Sequence, residues 1–575
     1  MFRKWERSLI VYLLILFHGF LWTGLRAQPD SALLEQAFDI LEERGELVFE
    51  FFPENTFIVK EINSFLSVDR KTDRGFEAYA NESGFRSFLE YDIPFRLIQL
   101  EPLKKSSGVS LDFPGDWDVY PTHQQYEDFM KDMAGKYPQI CRFDTIGQSA
   151  EGRNILILKI TDNPGIREPE PAFVYSSTMH GDEVTGYVIL LHLIDYLCEN
   201  YGNDPLVTRL VDSIEIWINP LANPDGTYLN GDDTIKQPKR FNSNNIDLNR
   251  DYPGILDTPG SMYPESQPEN LAQMDFLRSI YMVSGANIHG GKELVNYPFD
   301  IWKTRHADDN WYIQTSREYA REAHRQSGPV LYMLDLDSGI TNGYDWYEAI
   351  GTRQDWNNYF NYAREVTIEI SLNKEPPPSE LPYFWHYNFK SLLRYMELCL
   401  FGIHGIVKDA ETGLPLRAAI HILNHDSLHS HIYTDSLTGY FARLIEPGMW
   451  DLEISAAGYE PVPFKGVQSL YDQTTWLDVE LRAQATGINS QKKAEANLLP
   501  FLYGTNLTIP VTLPGEHSIY IYDLKGSLVH LNKISYPSKG NYVYSLEGTK
   551  LEKGVYILKL ISPEDILTQK IFKSQ

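Results

Sequence analysis

Short apolar runs alternate with amphipathic segments along the middle of the chain, between about Tyr120 and Leu400. Runs such as NILILKI, PAFVYSS, SIEIWINP and REVTIEI are typical of strands, whereas YVILLHLIDYL is typical of a helix. Strands that alternate with helices predict an α/β fold, in which a mixed, mainly parallel sheet carries helices on both faces. Such sheets bind ligands beside the carboxyl ends of their strands. We place this domain at residues 115–401.

The regions on either side have different patterns. The stretch ALLEQAFDILEERGELVFEFF predicts a helix leading into a strand, and the mixed pattern after it predicts an α+β segment at residues 28–105, ending at the polar KKSSG. From Gly402 onward, short alternating strands are interrupted by Gly, Pro and Asp, which predicts a β-sandwich at 402–483. A polar linker at 484–494 separates it from a second β-sandwich at 495–575.

Composition narrows the classes of partner. A chain of 575 residues is too long for one hydrophobic core, so several domains are expected. The net charge of -27 leaves no basic surplus to neutralise phosphate, so no nucleic-acid partner is expected. The three cysteines do not make a disulfide framework, and Cys198 and Cys399 lie in apolar stretches typical of buried thiols.

The N-terminus predicts export. Residues 1–27 have a basic start, an apolar stretch and the small-residue site LRA, which together indicate a secretory signal peptide cleaved after Ala27. A retained membrane anchor is the alternative, but the apolar stretch is short for a membrane span. No later segment is apolar and long enough to cross a bilayer, so we expect a mature chain without a transmembrane segment.

The first candidate site is the segment SSTMHGDEVTGY, which places His180 and Glu183 three residues apart, directly after an apolar strand. Zinc favours His and carboxylate ligands, and a catalytic zinc site keeps one of its four positions open for water. Acids at a helix N-terminus would explain the same pattern without a metal. The pair taken alone leaves both interpretations open.

A third candidate ligand is His289 in SGANIHGGKELVNYPFD. It follows an apolar segment and precedes two glycines that let a substrate approach the backbone. The alternative is a buried core histidine with an ordinary hydrogen bond. Further polar motifs, however, accompany both ligand segments: KRFNSNNIDLNRDYP lies between them, and GITNGYDWYEAIGTRQDW and REVTIEIS lie after them.

Taken together and in this order, the five motifs resemble those of the zinc metallocarboxypeptidases, and within them the regulatory (N/E) branch. The resemblance covers about Tyr120 to Phe401. It implies the carboxypeptidase-type α/β fold, one Zn²⁺ per catalytic domain, and removal of single residues from the C-termini of peptides and proteins. His180, Glu183 and His289 match the family's zinc ligands, and Asp247 matches the carboxylate that orients the first histidine.

The resemblance also assigns substrate contacts. Asn249 and Arg250 match the pair that binds the free C-terminal carboxylate, which suits a guanidinium because the two groups can meet bidentately. Arg240 matches the arginine that polarises the scissile carbonyl, and Tyr347 the mobile tyrosine that closes over the substrate. Glu369, in TIEIS, matches the general base that takes a proton from the attacking water.

Each of these residues has an ordinary alternative. Arg240 could be a solvated charge, the Asn-rich loop plain turn chemistry, and Tyr347 one more aromatic. Glu365 is a nearby rival for Glu369, which is preferred because it lies 14 residues past Asp355, the spacing of the family. The NPDG stretch at Asn223 is also a family feature, and here it is assigned only a turn.

Specificity follows from two further matches. Asp300, eleven residues beyond His289, matches the aspartate that receives a basic side chain in the regulatory branch, and Gln354 matches a polar residue of the same pocket. A carboxylate at the base of a pocket favours Lys or Arg. The expected substrate residue is therefore basic, unless Asp300 merely begins a solvated loop. The sequence IGTR departs from the branch, which usually has two glycines there.

The flanking regions carry weaker resemblances. Residues 402–483 resemble the transthyretin-like sandwich that follows the catalytic domain in the regulatory branch. Residues 495–575, with IYIYDLKGSLV, LEKGVYILKL and KIFKS, resemble the C-terminal sorting domain of the type IX secretion system of Bacteroidetes, which implies the secretion machinery as a partner and the cell surface or exterior as the destination. A plain β-sandwich binding module is the alternative.

The segment 28–105 somewhat resembles the activation segments of carboxypeptidases. It is expected to be either a propeptide folded over the active site or an accessory domain, and Lys104–Lys105 is the available dibasic cleavage site. Two other functions remain open for the whole chain: a zinc carboxypeptidase that cleaves cell-wall peptides, and a non-catalytic binding protein built on the carboxypeptidase fold.

Overall fold

The computed structural model describes most of the chain. The described residues are 31–55, 58–63, 65–98, 117–254, 266–484, 501–503, 506–511, 514–522, 528–538, 540–546, 549, 551, 554–562 and 566–573. The predicted signal peptide at 1–27, the Lys104–Lys105 pair and the linker beyond Gln484 lie outside these residues.

The N-terminal region is an antiparallel sheet with helices on one face, as the α+β prediction requires. Its elements are α1 (Ser31–Arg44), β1 (Leu47–Phe51), α2 (Ile58–Ile62), β2 (Ser67–Lys71), β3 (Phe76–Ala80), α3 (Glu82–Leu89) and β4 (Phe95–Leu97), with strand order β2-β3-β1-β4. Phe49, Phe85 and Phe88 lead the core between sheet and helices. On the opposite face, Val48 and Tyr79 contact Phe241 of the central region.

The central region contains the α/β fold. Its elements are α4 (His123–Lys136), β5 (Cys141–Gln148), β6 (Asn154–Ile160), β7 (Ala172–Ser177), α5 (Thr185–Asn200), α6 (Pro205–Val211), β8 (Glu215–Asn219), α7 (Pro224–Thr227), α8 (Pro268–Ser279), β9 (Met282–His289), β10 (Glu293–Tyr297), α9 (Asp309–Gln326), α10 (Asp335–Ser338), β11 (Ile340–Asn342), α11 (Gly343–Trp346), α12 (Arg353–Tyr359), β12 (Arg364–Ile370) and α13 (Leu381–Glu397). Short 3-10 turns cover Leu248–Arg250, Pro378–Glu380 and Leu398–Leu400.

The eight central strands form one mixed sheet in the order β11-β10-β12-β9-β7-β8-β6-β5. The pairs β12–β9, β9–β7, β7–β8 and β10–β11 are parallel and the other three are antiparallel. Every residue of β7 is buried, and its side chains alternate between two cores: Phe173 and Tyr175 meet α4, α5, α9 and α13, whereas Val174 meets α8 and α12. The prediction of a mainly parallel sheet covered on both faces is confirmed.

Two β-sandwiches follow. The first contains β13 (Gly402–Asp409), β14 (Ala419–Ile422), β15 (Ile432–Tyr433), β16 (Tyr440–Arg443), β17 (Gly448–Ser455), β18 (Val462–Ser469) and β19 (Thr474–Leu481), in sheets β16-β13-β19 and β15-β14-β17-β18. The second contains β20 (Phe501–Tyr503), β21 (Asn506–Val511), β22 (Gly515–Tyr522), β23 (Leu528–Tyr536), β24 (Gly540–Ser545), β25 (Gly554–Ile561) and β26 (Ile566–Lys573), in sheets β20-β21-β24 and β23-β22-β25-β26.

A buried ionic cluster joins the first sandwich to the central sheet. Asp308, next to α9, accepts hydrogen bonds from Arg364 at the start of β12 (2.7 Å) and from Arg443 of the sandwich (2.8 Å). Its other oxygen lies 2.9 Å from His425 Nε2, and Arg443 also donates to Asp426. Two guanidinium groups thus neutralise two carboxylates out of contact with water, so the sandwich and β12 hold each other in place.

Candidate active site

The three predicted metal ligands converge at one edge of the central sheet. His180 and Glu183 lie between β7 and α5, and His289 ends β9, the parallel neighbour of β7, so both ligand segments leave the sheet at the same edge. His180 Nδ1 lies 3.0 Å from Glu183 Oε1 and 3.1 Å from His289 Nδ1, and His289 Nδ1 lies 2.8 Å from Glu183 Oε2. The side chains are buried.

This donor set fits a zinc ion. Two imidazole nitrogens that face each other need a proton or a cation between them, and the carboxylate beside them supplies negative charge. Burial, partly offset by Glu183, lowers the pKa of His289 to about 4, so its imidazole is neutral near pH 7, as metal ligation requires. Two His and one carboxylate are a ligand set of catalytic zinc sites.

Both histidines are held by a partner on the far side of the ring. His180 Nε2 lies 3.1 Å from Asp247 Oδ1, the carboxylate predicted to orient it. His289 Nε2 lies 2.7 Å from the Asn287 side-chain amide. An amide that presents its oxygen accepts the Nε2 proton and leaves Nδ1 free to bind metal. Asn287 was not identified from the sequence, although its position two residues before His289 puts both side chains on one face of β9.

Glu369 lies beside the ligand cluster because β12 is the other neighbour of β9, and Glu369 pairs with His289 in the register of the two strands. Its Oε2 is buried without a hydrogen-bond partner among the described residues. Burial, and then the negative charges of Glu183 and Asp69, raise the pKa of Glu369 well above its usual range. The rival Glu365 lies four residues earlier on β12 and is occupied by Arg353 (3.1 Å).

Arg240 is buried and touches the ligand cluster directly. Its Nε donates to Asp247 (3.0 Å), and its Nη1 lies 3.3 Å from Glu183. The solvated alternative for Arg240 therefore does not apply. The NPDG stretch, assigned only a turn, forms the helical turn α7, and the amide of Asn223 donates to the backbone oxygens of Met179 and Arg240.

The predicted carboxylate-binding pair lies on the next loop. Arg250 Nη1 donates to the backbone oxygen of Asn249, and the Asn249 side chain accepts from the backbone N–H of Arg353. The Nε of Arg250 is buried without a partner among the described residues. Tyr347, half-buried after α11, lines the same cavity as Arg250.

Asp300 forms the base of this cavity and has only neutral donors around it. Its carboxylate accepts hydrogen bonds from Asn296 (3.0 Å), Thr352 (2.7 Å) and Gln354 (3.1 Å). A Cβ atom at Gly343 would lie 1.9 Å from Asp300 Oδ1, so the position excludes larger residues. Burial raises the pKa of Asp300 above its usual value. The IGTR segment that departs from the branch thus contributes Thr352 to the pocket.

The cavity is closed by the N-terminal region. Its volume is about 30 Å³, which holds about two water molecules and no lysine or arginine side chain. Strand β2 lies across the opening: the Val68 backbone oxygen accepts from Arg250 (3.0 Å), and Asp69 accepts from Arg240 (2.9 Å). Ser67 beside them contacts Asp247 and accepts from Arg240.

Lys374, in the loop after β12, is the second residue that the sequence did not reveal. Its ammonium group lies 3.1 Å from Glu183 Oε1, 3.4 Å from Asp69 and 3.0 Å from the Tyr79 hydroxyl. Burial alone would raise the pKa of Asp69, but Lys374 and Arg240 outweigh it and lower that pKa. The cleft therefore stabilises a negative oxygen between these two cations.

The group Asp308, His425 and Asp426 is a second set of possible metal ligands among the described residues. Arg364 and Arg443 already neutralise its carboxylates, which makes it an ionic contact between domains and not a metal centre.

Comparison with known families supports the same site. Residues 126–391 match the family described as zinc carboxypeptidase, and residues 504–574 match the secretion system C-terminal sorting domain. The expected resemblance of the C-terminal region to a sorting domain is confirmed. Among the described helices, none combines the length and apolar character needed to cross a bilayer.

Individual relatives are similar over the central region. Human carboxypeptidase D is 38% identical over 388 residues, 64% of this chain but 28% of that protein, so the chain spans little more than a quarter of it. Mouse carboxypeptidase M is 34% identical over 367 residues, 61% of this chain and 82% of that protein. The crystal structure of thrombin activatable fibrinolysis inhibitor (TAFI) has a TM-score of 0.47 at 18% identity, covering 61% of this chain and 98% of that one. From these matches, the chain belongs to the zinc carboxypeptidase family.

Proposed function

We propose that the chain is an exported zinc metallocarboxypeptidase that removes a C-terminal Lys or Arg from peptides and proteins. The observation that carries this proposal is that the His180, Glu183 and His289 cluster shares one cavity with Glu369, Arg250 and Asp300. A carboxylate anchor, a base and an acidic pocket around one metal-binding cluster are what an exopeptidase for basic residues requires.

The ligands His180, Glu183 and His289 hold the zinc ion. Bound zinc lowers the pKa of its water to about 7 and acts as a Lewis acid. Asp247 fixes the tautomer of His180 through the 3.1 Å contact. With its Nη groups aimed into the cleft, Arg240 meets the carbonyl oxygen of the peptide bond that is cut.

The residues of the chain account for each proton in the hydrolysis. Water adds to the carbonyl carbon and gives its proton to Glu369, while the electron pair of the C=O bond moves to the oxygen beside Arg240. When the C–N bond breaks, Glu369 returns the proton to the leaving amine. The products are a peptide with a new carboxylate and a free amino acid whose own carboxylate lies on Arg250.

The acidic pocket supports the basic specificity. Asp300 accepts from three neutral donors and has no cationic partner within hydrogen-bond distance among the described residues. A buried carboxylate of this kind is stabilised by an incoming ammonium or guanidinium group. Asp355 supports its position by accepting from the backbone N–H groups of Asp300 and Ile301.

The pocket predicts a pH dependence of substrate binding. Asp300 must be ionised to pair with a basic side chain, and its pKa is raised in the free enzyme and lowered in the complex. Affinity for a peptide ending in Arg is therefore present above the raised pKa and lost as the pH falls through it, by up to about tenfold per pH unit. KM measured against pH for peptides ending in Arg and in Phe checks this, because the Phe peptide should show no such trend.

The matched control is Asp300→Asn, which keeps the shape of the side chain. Loss of the charged contact is expected to raise KM for the Arg peptide by about 10- to 150-fold and to remove its pH dependence. An Asp300→Asn variant that still prefers Arg over Phe would contradict the assignment of the pocket.

The N-terminal region supports latency of the intact chain. Strand β2 covers the cleft and occupies Arg250, Arg240 and Lys374 at once. Further contacts tie the region to the central domain, including Glu46 with the backbone N–H of Phe241 and Asn81 with the backbone oxygen of Asn245. In the proposed function, residues 28–105 are a propeptide that blocks the active site until the linker is cut.

The C-terminal sorting domain supports export to the cell surface or beyond, and the predicted signal peptide would start that route. The transthyretin-like β-sandwich at 402–483 supports the catalytic domain through the Asp308 cluster.

Chelation tests the proposed function as a whole. Removal of the metal with a chelator should abolish release of Arg or Lys from peptide C-termini, and added Zn²⁺ should restore it, because His180, Glu183 and His289 have no other cation to orient water. Mass spectrometry of Arg-, Lys- and Phe-terminated peptides, with cell-wall peptides in parallel, gives the readout. Turnover that is confined to cell-wall peptides would favour the alternative substrate, and binding without turnover would favour a non-catalytic protein.

A further inference from the structure

The contacts of β2 in the cleft reveal how the site treats two oxygens at once. The Val68 backbone oxygen lies on Arg250, and the Asp69 carboxylate lies between Arg240 and Lys374. About six covalent bonds separate these two oxygens, and about five separate the terminal carboxylate of a peptide from the oxygen of its last peptide bond. The pair Val68 and Asp69 therefore stands where the two oxygens of a substrate would lie.

Lys374 is placed to act on the second of these oxygens. Its ammonium group and the Arg240 guanidinium both contact Asp69 and both contact Glu183 Oε1, at 3.1 Å for Lys374 and 3.3 Å for Arg240. The two cations thus flank one point next to the metal-binding cluster. Asp69 is negatively charged there, as the oxygen of the scissile bond becomes when water adds to the carbonyl.

Lys374 is also held rigidly. Its backbone oxygen accepts from the N–H of Val184, one residue after the ligand Glu183, and its ammonium group lies above the Tyr79 ring. The side chain is 15% exposed, so little water competes for its charge. When the N-terminal region leaves, Asp69 and Tyr79 leave with it, and Lys374 keeps only acidic neighbours of the catalytic domain, Asp182 and Glu183.

We propose that Lys374 is a second catalytic cation, which together with Arg240 stabilises the negative oxygen formed when water adds to the scissile carbonyl. This inference rests on the proposed hydrolysis. It adds no group to the reaction: the proton still passes through Glu369, and Lys374 keeps its own protons while it donates a hydrogen bond to the oxygen. A donor that meets charge only in the transition state raises kcat more than it lowers KM.

The test uses Lys374→Met, Lys374→Arg and the control Lys292→Met, measured in whichever form of the wild-type chain turns over fastest, intact or cleaved after Lys105. Lys292 carries the same charge, lies near the cleft and has only Asp335, at 3.9 Å, as an ionic neighbour. We expect Lys374→Met to lower kcat by about 10²–10³-fold with little change in KM, Lys374→Arg to recover most of the loss, and Lys292→Met to match the wild type.

Inhibitor binding separates catalysis from structure. The Ki of a phosphonate peptide analogue, which carries negative oxygens at the reacting position, should rise in Lys374→Met by the same factor as kcat/KM falls, while the Ki of free arginine stays unchanged. Metal content, measured by atomic absorption, should remain at one zinc per chain.

Three outcomes would overturn the inference. Loss of zinc in Lys374→Met would mean that Lys374 only maintains Glu183. Equal weakening of phosphonate and arginine would mean a general change of the cleft. A defect confined to peptides with an acidic residue before the one removed would mean that Lys374 binds a side chain. A wild-type chain without turnover on any peptide would instead refute the proposed function and is distinguished by that control.

Discussion

Glu369→Gln is expected to lower turnover of peptides ending in Arg or Lys by about 10²–10⁴-fold. Glutamine has the size and hydrogen-bonding shape of glutamate but cannot take the proton from water or return it to the leaving amine. Glu369 lies beside His289 in the strand register and has a free, buried oxygen, so no other described carboxylate stands in the same position. Steady-state kinetics on Arg- and Lys-terminated peptides measure the effect.

Metal content is the control for this variant, because Glu369 is not one of the three ligands. Glu369→Gln should bind one zinc ion per chain, as the wild type does. Glu365→Gln is less useful, since Glu365 pairs with the buried Arg353 and its loss would disturb the fold. Unchanged turnover in Glu369→Gln would show that another group is the base.

Cleavage of the chain after Lys105 is expected to raise turnover by about 100-fold. A closed state favoured by about 3 kcal/mol leaves the open, active state about 1% populated, and breaking a buried ion pair costs about that much. The buried contacts of Asp69 with Arg240 and Lys374, together with the 30 Å³ cavity, indicate a closed state of this kind. Initial rates of the intact and cleaved chains on one Arg-terminated peptide measure it.

Asp69→Asn tests the same contact without cleavage. It removes the charge that Arg240 and Lys374 hold, so the intact variant should show part of the activity gained on cleavage. Asp39→Asn, the same substitution at an exposed position of the N-terminal region, should remain latent. Equal rates for the intact and cleaved wild type would rule out inhibition by this region.

The sequence predicted the part of the site that local patterns encode. His180, Glu183 and His289 follow the apolar runs of β7 and β9, and parallel neighbours end at the same edge of a sheet. The same reasoning reached Glu369 on β12. The α/β class, the α+β N-terminal region and the two sandwiches also followed from the periodicity of apolar positions.

The remaining contacts could not be predicted because they join distant segments without a shared pattern. Asp69 and Lys374 are 305 residues apart in the chain, and neither lies in a motif that marks a site. Ser67 and Val68 belong to an ordinary short strand. Their role arises only from how the N-terminal sheet docks on the central domain, through surfaces such as Tyr79 and Phe241.

The Asp308 cluster shows that the portion of the chain matching the zinc carboxypeptidase family, residues 126–391, is not an autonomous folding unit. A chain that stopped before the first sandwich would leave Asp308 and Arg364 without Arg443 and the Ser430 backbone oxygen, at the start of the strand that carries Glu369. Exchange of the sandwich between relatives would require both sides of this electrostatic joint to change together. The two domains are therefore constrained to evolve as a pair.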